Sequence, residues 1–395
     1  MIETVAVEGY RSLRWMVLPL GQLTVVTGAN GTGKSGVYRS LRLLAECALG
    51  GAVGAVAREG GLRSTLWAGP EFGSRKHGGR AQGTVRRDPV ALRLGFATND
   101  ALSYAVDLGL PQDGGSAFML DPEIKVESIW SGPVLRPAAL LAERRGPVAQ
   151  VRDDEGAWRI VGGGLKPFDS MLSELVDPTG APEVVAVRER LRGWRFYDHL
   201  RTDADAPARQ PRVGTRTTAL GHDGGDLAAA WETARELGRG DELDAAVDAA
   251  FPGARVRVRA DDGRFALELV RSSLLRPLQA AELSDGTLRY LLWVAALLTP
   301  RPPELLVLNE PETSLHPDLL APLARLIRRA ARSSQVVVVT HSGVLAAALQ
   351  RSTRDRDEVA DQDVRGVELV LEDGETRVVG RDGPLDQPSW TWPRR

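Results

Sequence analysis

The stretch Gly28-Ala29-Asn30-Gly31-Thr32-Gly33-Lys34-Ser35 places a cation and a hydroxyl at the end of a glycine-rich loop. Glycines at this spacing let successive backbone N–H groups close around phosphate oxygens. Lys34 then reaches the β- and γ-phosphates, and the Ser35 hydroxyl can ligate Mg²⁺. Asn30, Gly31, Thr32, Gly33, Lys34, Ser35 and Gly36 are the expected nucleotide-binding residues. At this composition the pattern arises by chance about 0.004 times, so a fortuitous glycine turn is a poor explanation. A second constellation, "LLVLNEPETSLHP" over 305–317, is an apolar run ending in Asn309-Glu310. A carboxylate at 310 can orient or deprotonate an attacking water, and position 309 can hold the Mg²⁺ shell with Ser35. "QVVVVTHSG" ends another apolar run at His341, where an imidazole can sense a γ-phosphate. "LSDGT", 283–287, opens a helix whose amides and Ser284 hydroxyl can meet an anion, although Ser-Asp-Gly is also ordinary turn chemistry.

These residues need a strand before each of them. Residues 22–27 are apolar and lead into the glycine loop, and "SGVYRSLRLLAECAL" follows with Val37, Leu41, Leu44 and Ala48 at helical spacing. The closing section reads as strand 305–309, helix about 317–332, strand 335–340 and helix about 343–350. That alternation implies a parallel sheet. Between them, 84–130 is β-rich and 142–220 is mixed. "DLAAAWETARELG" reads as a helix capped by Asp226, and 254–270 as a hairpin turning at Asp262-Gly263. A last hairpin turns at Asp373-Gly374.

The bulk numbers narrow the class. A net charge of −2 over 395 residues excludes a protein coated in positive charge. Apolar runs stop well short of the roughly 20 residues that cross a bilayer. The N-terminus lacks a basic start followed by an apolar core, so no secretory leader is expected. One cysteine, Cys47, excludes an intramolecular disulfide and a multi-cysteine zinc cluster, which fits a reducing cytoplasm. Only four of the 50 basic residues are lysine, Lys34 among them.

The order of loop, long intervening region, "LSDGTLRYL", "LLVLNEPETSLHP" and "VVVVTH" resembles the ATPase heads of the ABC superclass. It is more closely similar to the RecF-like and SMC-like ATPases, which include the ATPase part of the overcoming-lysogenization-defect (OLD) nucleases. The resemblance covers 1–50 and 280–345 and is loose between them. It implies an α/β P-loop NTPase head of ABC type, with a mixed β-rich and helical insertion between Walker A and the signature motif. The whole of 1–395 would be one head: an N-terminal lobe with Walker A (1–110), an insertion (111–280) and a C-terminal lobe (281–395). By the same resemblance Ser284, Asp285, Gly286 and Thr287 are the signature motif, acting in trans on a second copy's nucleotide. Ser314-Leu315-His316 are the D-loop and His341 the switch histidine; Gln82 and Gln150 are both open as the Q-loop residue. Lys34, Glu310 and His341 are the expected catalytic residues, with ATP and Mg²⁺ as cofactors and an ATP-held homodimer as the assembly. The sequence departs from the family at Asn309, where most members have Asp. An amide can bond a magnesium-bound water but adds no negative charge, so the expectation is weak metal binding and slow turnover.

Three function classes follow. One is a DNA-associated ATPase of repair or anti-phage defence. Another is a nucleotide-gated scaffold controlling a partner nuclease or other effector with little hydrolysis. The third, a transporter's ATP-binding subunit, is disfavoured by the long stretch between Ser35 and Ser284. The chain after His341 leaves little room for the metal-binding Toprim domain of OLD nucleases, so a nuclease is expected in trans, and the acids of 354–363 read as a solvated loop. Residues 188–216 hold eight arginines interleaved with Trp194, Phe196 and Tyr197. They read either as a nucleic-acid contact, or as core aromatics with arginines paired to Glu189, Asp198, Asp203 and Asp205.

Overall fold

The chain opens on a hairpin, β1 (Ile2–Tyr10) and β2 (Leu13–Pro19), closed by a two-residue turn in which Arg11 adopts φ 49°. The computed structural model describes residues 1–69, 91–111, 117–198, 200–351, 360, 363–381 and 387–395. Gln82 and nearly all of the acidic 354–363 stretch lie outside the described residues.

Two units divide the chain. Met1–Gly21, Gly28–Trp194 and Val367–Arg395 form the first. Its eight-stranded sheet runs β2-β1-β4-β5-β6-β7-β8-β9 and is antiparallel throughout. The added strands are β4 (Leu92–Thr98), β5 (Leu102–Gly109), β6 (Glu123–Ser131), β7 (Leu140–Arg145), β8 (Val148–Arg152) and β9 (Trp158–Gly163). Helices α1 (Lys34–Cys47), α2 (Ala52–Arg58), α3 (Leu62–Thr65), α4 (Met171–Glu174) and α5 (Pro182–Gly193) belong to the same unit. So does the hairpin formed by β17 (Val364–Glu372), from Val367 onward, with β18 (Glu375–Val378). Its turn, Asp373-Gly374, has φ 52° and 80°, the left-handed pair that a tight hairpin needs. Tyr104, Ser170, Arg144 and the Met171 amide all bond Glu127, so a fully buried carboxylate is fully partnered.

The second unit comprises Gln22–Thr27 and Arg195–Gly366. Its centre is a parallel sheet in the order β10-β15-β16-β3, made of β3 (Leu23–Gly28), β10 (Arg195–Tyr197), β15 (Leu305–Asn309) and β16 (Gln335–Val339). The sequence pattern predicts β3, β15 and β16 because their residues are apolar on both faces, and β16 is buried along its whole length; β10, Arg-Phe-Tyr, is not foreseen. Around it pack α6 (Leu227–Ala234), α7 (Gly240–Ala250), α8 (Asp285–Leu297), α9 (Leu320–Ala330) and α10 (Gly343–Gln350), with Trp231, Tyr290, Leu291 and Ile327 in one core. A smaller sheet combines β11 (Arg212–Val213), β12 (Ala254–Asp261), β13 (Arg264–Arg271) and β14 (Leu278–Gln279). Asp262 and Gly263 turn the β12–β13 hairpin at φ 45° and 72°. One expectation fails: Asp226 precedes α6, yet its carboxylate makes no capping bond. It accepts instead from the Gly221 amide at 3.0 Å, closing the preceding loop.

Candidate nucleotide site

In the first unit, loop 28–33 leads into α1 with no side chain capping the helix and no acid in its first turn. That leaves the positive end of α1 suited to an anion. Gly33 has φ 95°, and a Cβ there would lie 2.2 Å from Thr376 Oγ1, so only glycine fits. Lys34 is buried and arcs back over the loop, its Nζ donating to Gly28 O and Ala29 O at 2.7 Å each. Thr32 Oγ1 donates to Ala29 O at 2.9 Å, and Asn30, Gly31 and Ser35 are exposed. Gly36 is buried. The loop is a preformed ring of backbone with one lysine across it.

In the second unit the register of the parallel sheet aligns strand ends. Val339 lies opposite Val26 and Asn309 opposite Val339, while the Thr340 amide donates to Val26 O at 3.0 Å. β3, β16 and β15 therefore finish on one carboxyl edge, the edge on which open α/β sheets carry ligands. Thr27 there continues directly into Gly28.

Asn309 and Glu310 leave β15 at that edge. Asn309 Oδ1 is buried and has no hydrogen-bond partner, an acceptor left for something else to fill. Glu310 takes φ 48°, uncommon for a non-glycine residue, while its amide donates to Val339 O at 2.7 Å. This backbone inversion leaves the Glu310 carboxylate partly exposed, 3.7 Å from His341 Nδ1. Asn309, Glu310 and His341 are thus brought to the same edge.

Glu312 joins them, and sequence reasoning missed it. Its side chain is 6% exposed, and Oε1 accepts from Thr340 Oγ1 at 2.5 Å and from the amides of His341 and Ser342 at 3.1 Å each. His341 Nδ1 is 3.5 Å from the same oxygen. Glu312 therefore fixes the loop that carries His341, and Ser342 Oγ then caps α10 by accepting from the Leu345 amide.

Ser284 caps α8, accepting from the Thr287 amide at 3.3 Å. Asp285 pairs with Arg209 at 2.7 Å. A Cβ on Gly286 would meet Ser314 O at 3.1 Å, so the 283–287 loop and the strained Ser314 (φ 62°) are packed together. His316 is exposed and its Nδ1 accepts from the Asp318 amide. Gln150 lies in β8 and donates to Glu143 at 2.6 Å.

The 188–216 segment follows its paired reading in part: Glu189 and Asp203 take arginines, whereas Arg190 donates to Leu102 O and Arg209 pairs with Asp285. Trp194 and Tyr197 are buried, and Tyr197 donates to Leu220 O. Arg188 and Arg192 pair with Glu189, Arg201 with Asp203, and Arg216 with Glu236.

Comparison with known proteins bears on the fold. Residues 182–347 match the family described as "AAA domain, putative AbiEii toxin, Type IV TA system". Among solved structures, an Smc head bound to the C-terminal winged-helix domain of ScpA is 14% identical, with 96% of each chain covered and a TM-score of 0.50. The fold is that of an ABC-type, SMC-like ATPase head. A Pyrococcus furiosus Smc head with an extended coiled coil, bound to a ScpA C-terminal domain, is 14% identical over 96% of this chain and 95% of its own, at a TM-score of 0.48. No curated protein matches the sequence. The family match and this SMC-like head fold together support an ATP-binding ATPase. Among the described residues no helix is long and apolar enough to cross a membrane.

Proposed function

We propose that this SMC-like head binds ATP with Mg²⁺ on loop 28–35, hydrolyses it slowly, and pairs with a second copy while ATP is held. The observation that carries the reading is the shared carboxyl edge of β3, β16 and β15, from which the phosphate loop, His341 and Asn309-Glu310 all depart. The uncapped start of α1, with no acid in its first turn, and the orphaned Asn309 Oδ1 both fit a nucleotide and its metal.

When bound, ATP–Mg²⁺ supplies the phosphoryl group to be transferred and offsets its charge. Lys34 gives the cation for the β/γ-phosphates, and Asn30, Gly31, Thr32, Gly33 and Gly36 form the surrounding loop. Ser35 Oγ and Asn309 Oδ1 are the groups that would hold the magnesium shell. Glu310 orients the water and takes its proton, and His341, kept in place by Glu312, contacts the γ-phosphate side. An amide at 309 brings no charge to the metal, which makes turnover slow. Ser284, Asp285 and Gly286 face the nucleotide of the second copy, so a twofold pair buries two ATP molecules.

The pair acts as a cytoplasmic, DNA-associated clamp in repair or anti-phage defence. That part rests on the resemblance; within 188–216, Arg188, Arg192, Arg201 and Arg216 pair with acids and do not argue for it. Asn309 favours a second reading, a nucleotide-gated scaffold that regulates a nuclease or other effector in trans. With Glu310→Gln and ATP–Mg²⁺, light scattering should move from 42.6 kDa towards twice that mass. Ser284→Arg should block the shift while sparing single-site ATP binding. An ATP-independent pair, or one indifferent to Ser284→Arg, would refute the trans arrangement.

A further inference from the structure

Arg209 ends a short 3₁₀ turn, Pro207–Arg209, and its side chain is 8% exposed. Its guanidinium sits in a cage of carbonyls. Nε donates to Thr202 O at 2.9 Å and Asp203 O at 3.0 Å, and Nη1 to Ala280, Ala281 and Leu283 at 3.1, 3.2 and 2.7 Å. Nη2 donates to Thr202 O and to Asp285 Oδ1, both at 2.7 Å. One turn further along α8, Arg289 bonds Thr202 Oγ1 at 3.2 Å, tying the same loop to the helix a second time. A planar fork of five donors suits this cage; an ammonium group would not span it.

Asp285 is the first residue of α8. A carboxylate there favours the positive end of the helix, but repels any anion that docks on that end. The pairing with Arg209 cancels that charge while the carbonyl bonds fix the chain just before Ser284. We propose that Arg209 is a positioning residue for the 283–287 motif, one that makes an acidic residue compatible with the terminal phosphate of ATP held by a second copy. The inference rests on the trans reading of that motif.

The test uses the full Glu310→Gln chain with ATP–Mg²⁺, measuring the pairing constant by sedimentation equilibrium. Arg209→Gln should weaken pairing by about tenfold or more, because an uncompensated like charge then faces the phosphate. It should leave calorimetric ATP binding to the single chain unchanged. Adding Asp285→Asn to Arg209→Gln should restore pairing to within about threefold of the parent, a recovery that a purely structural arginine would not show. Parent-like pairing by Arg209→Gln, or no recovery in the double variant, overturns the inference and leaves the trans reading standing. If the parent itself does not pair, both fall together. Should Arg209→Gln not fold, Asp285→Asn alone decides: retained pairing supports the inference, and a loss of about tenfold overturns it.

Discussion

Glu312 Oε1 accepts a 2.5 Å hydrogen bond from Thr340 Oγ1, which ties the turn after β15 to the exit of β16. The same oxygen takes the amides of His341 and Ser342. Glu312→Ala would strand the buried Thr340 hydroxyl and the His341 amide, and leave the Ser342 amide only Thr340 Oγ1. The expected loss is about 3 kcal/mol of stability in urea unfolding, together with a fall in ATPase rate because His341 loses its support. A stability change under about 0.5 kcal/mol would contradict the role drawn for this carboxylate.

Lys34 is already bent across the loop, so little reorganisation separates its present position from a phosphate contact. Lys34→Ala should remove measurable ATP binding in calorimetry. Unchanged affinity would sink the assignment of the 28–35 loop.

Gly33→Ala tests the loop's shape instead of its charge. A side chain would be strained at φ 95° and would collide with Thr376 Oγ1. We expect a cost of about 1–3 kcal/mol and an ATP affinity at least about tenfold weaker, since one tenfold step corresponds to about 1.4 kcal/mol. Parent-like affinity would show that the loop's conformation does not matter for binding.

Asn309 can be tested across a magnesium titration at saturating ATP. Asn309→Asp places a carboxylate where a buried acceptor now lacks a partner, so the half-maximal Mg²⁺ concentration for activity should fall. Without metal the same variant should be less stable than the parent, because an unpaired buried charge is costly. Overlapping magnesium curves for Asp, Asn and Ala at 309 would remove this residue from the metal shell.

The parallel strands were legible because both of their faces are buried, so β3, β15 and β16 read as continuous apolar runs whose ends mark the candidate site. Glu312 was not legible. An acid three residues past a strand normally faces solvent, and its burial arises only because Glu310 and Ser314 both adopt positive φ and fold the segment back. Arg209 was hidden among similar arginines, since composition cannot tell which one the carbonyls of 202–203 and 280–283 will enclose. The antiparallel sheet extends further than its pattern suggests: β7 to β9 are short, and β9 is largely exposed with no clean alternation. Asp226 misled for a different reason, because a nearer amide at Gly221 competed for its carboxylate.

The central claim is hydrolysis by Glu310 of ATP held on the 28–35 loop. Phosphate release and ATP affinity, measured side by side for the parent and Glu310→Gln chains, test it most directly. The account predicts similar affinities, slow release by the parent, and release at least about a hundredfold slower from Glu310→Gln, as loss of a general base requires. Equal release rates from the two chains, or no ATP binding by the parent, would contradict it.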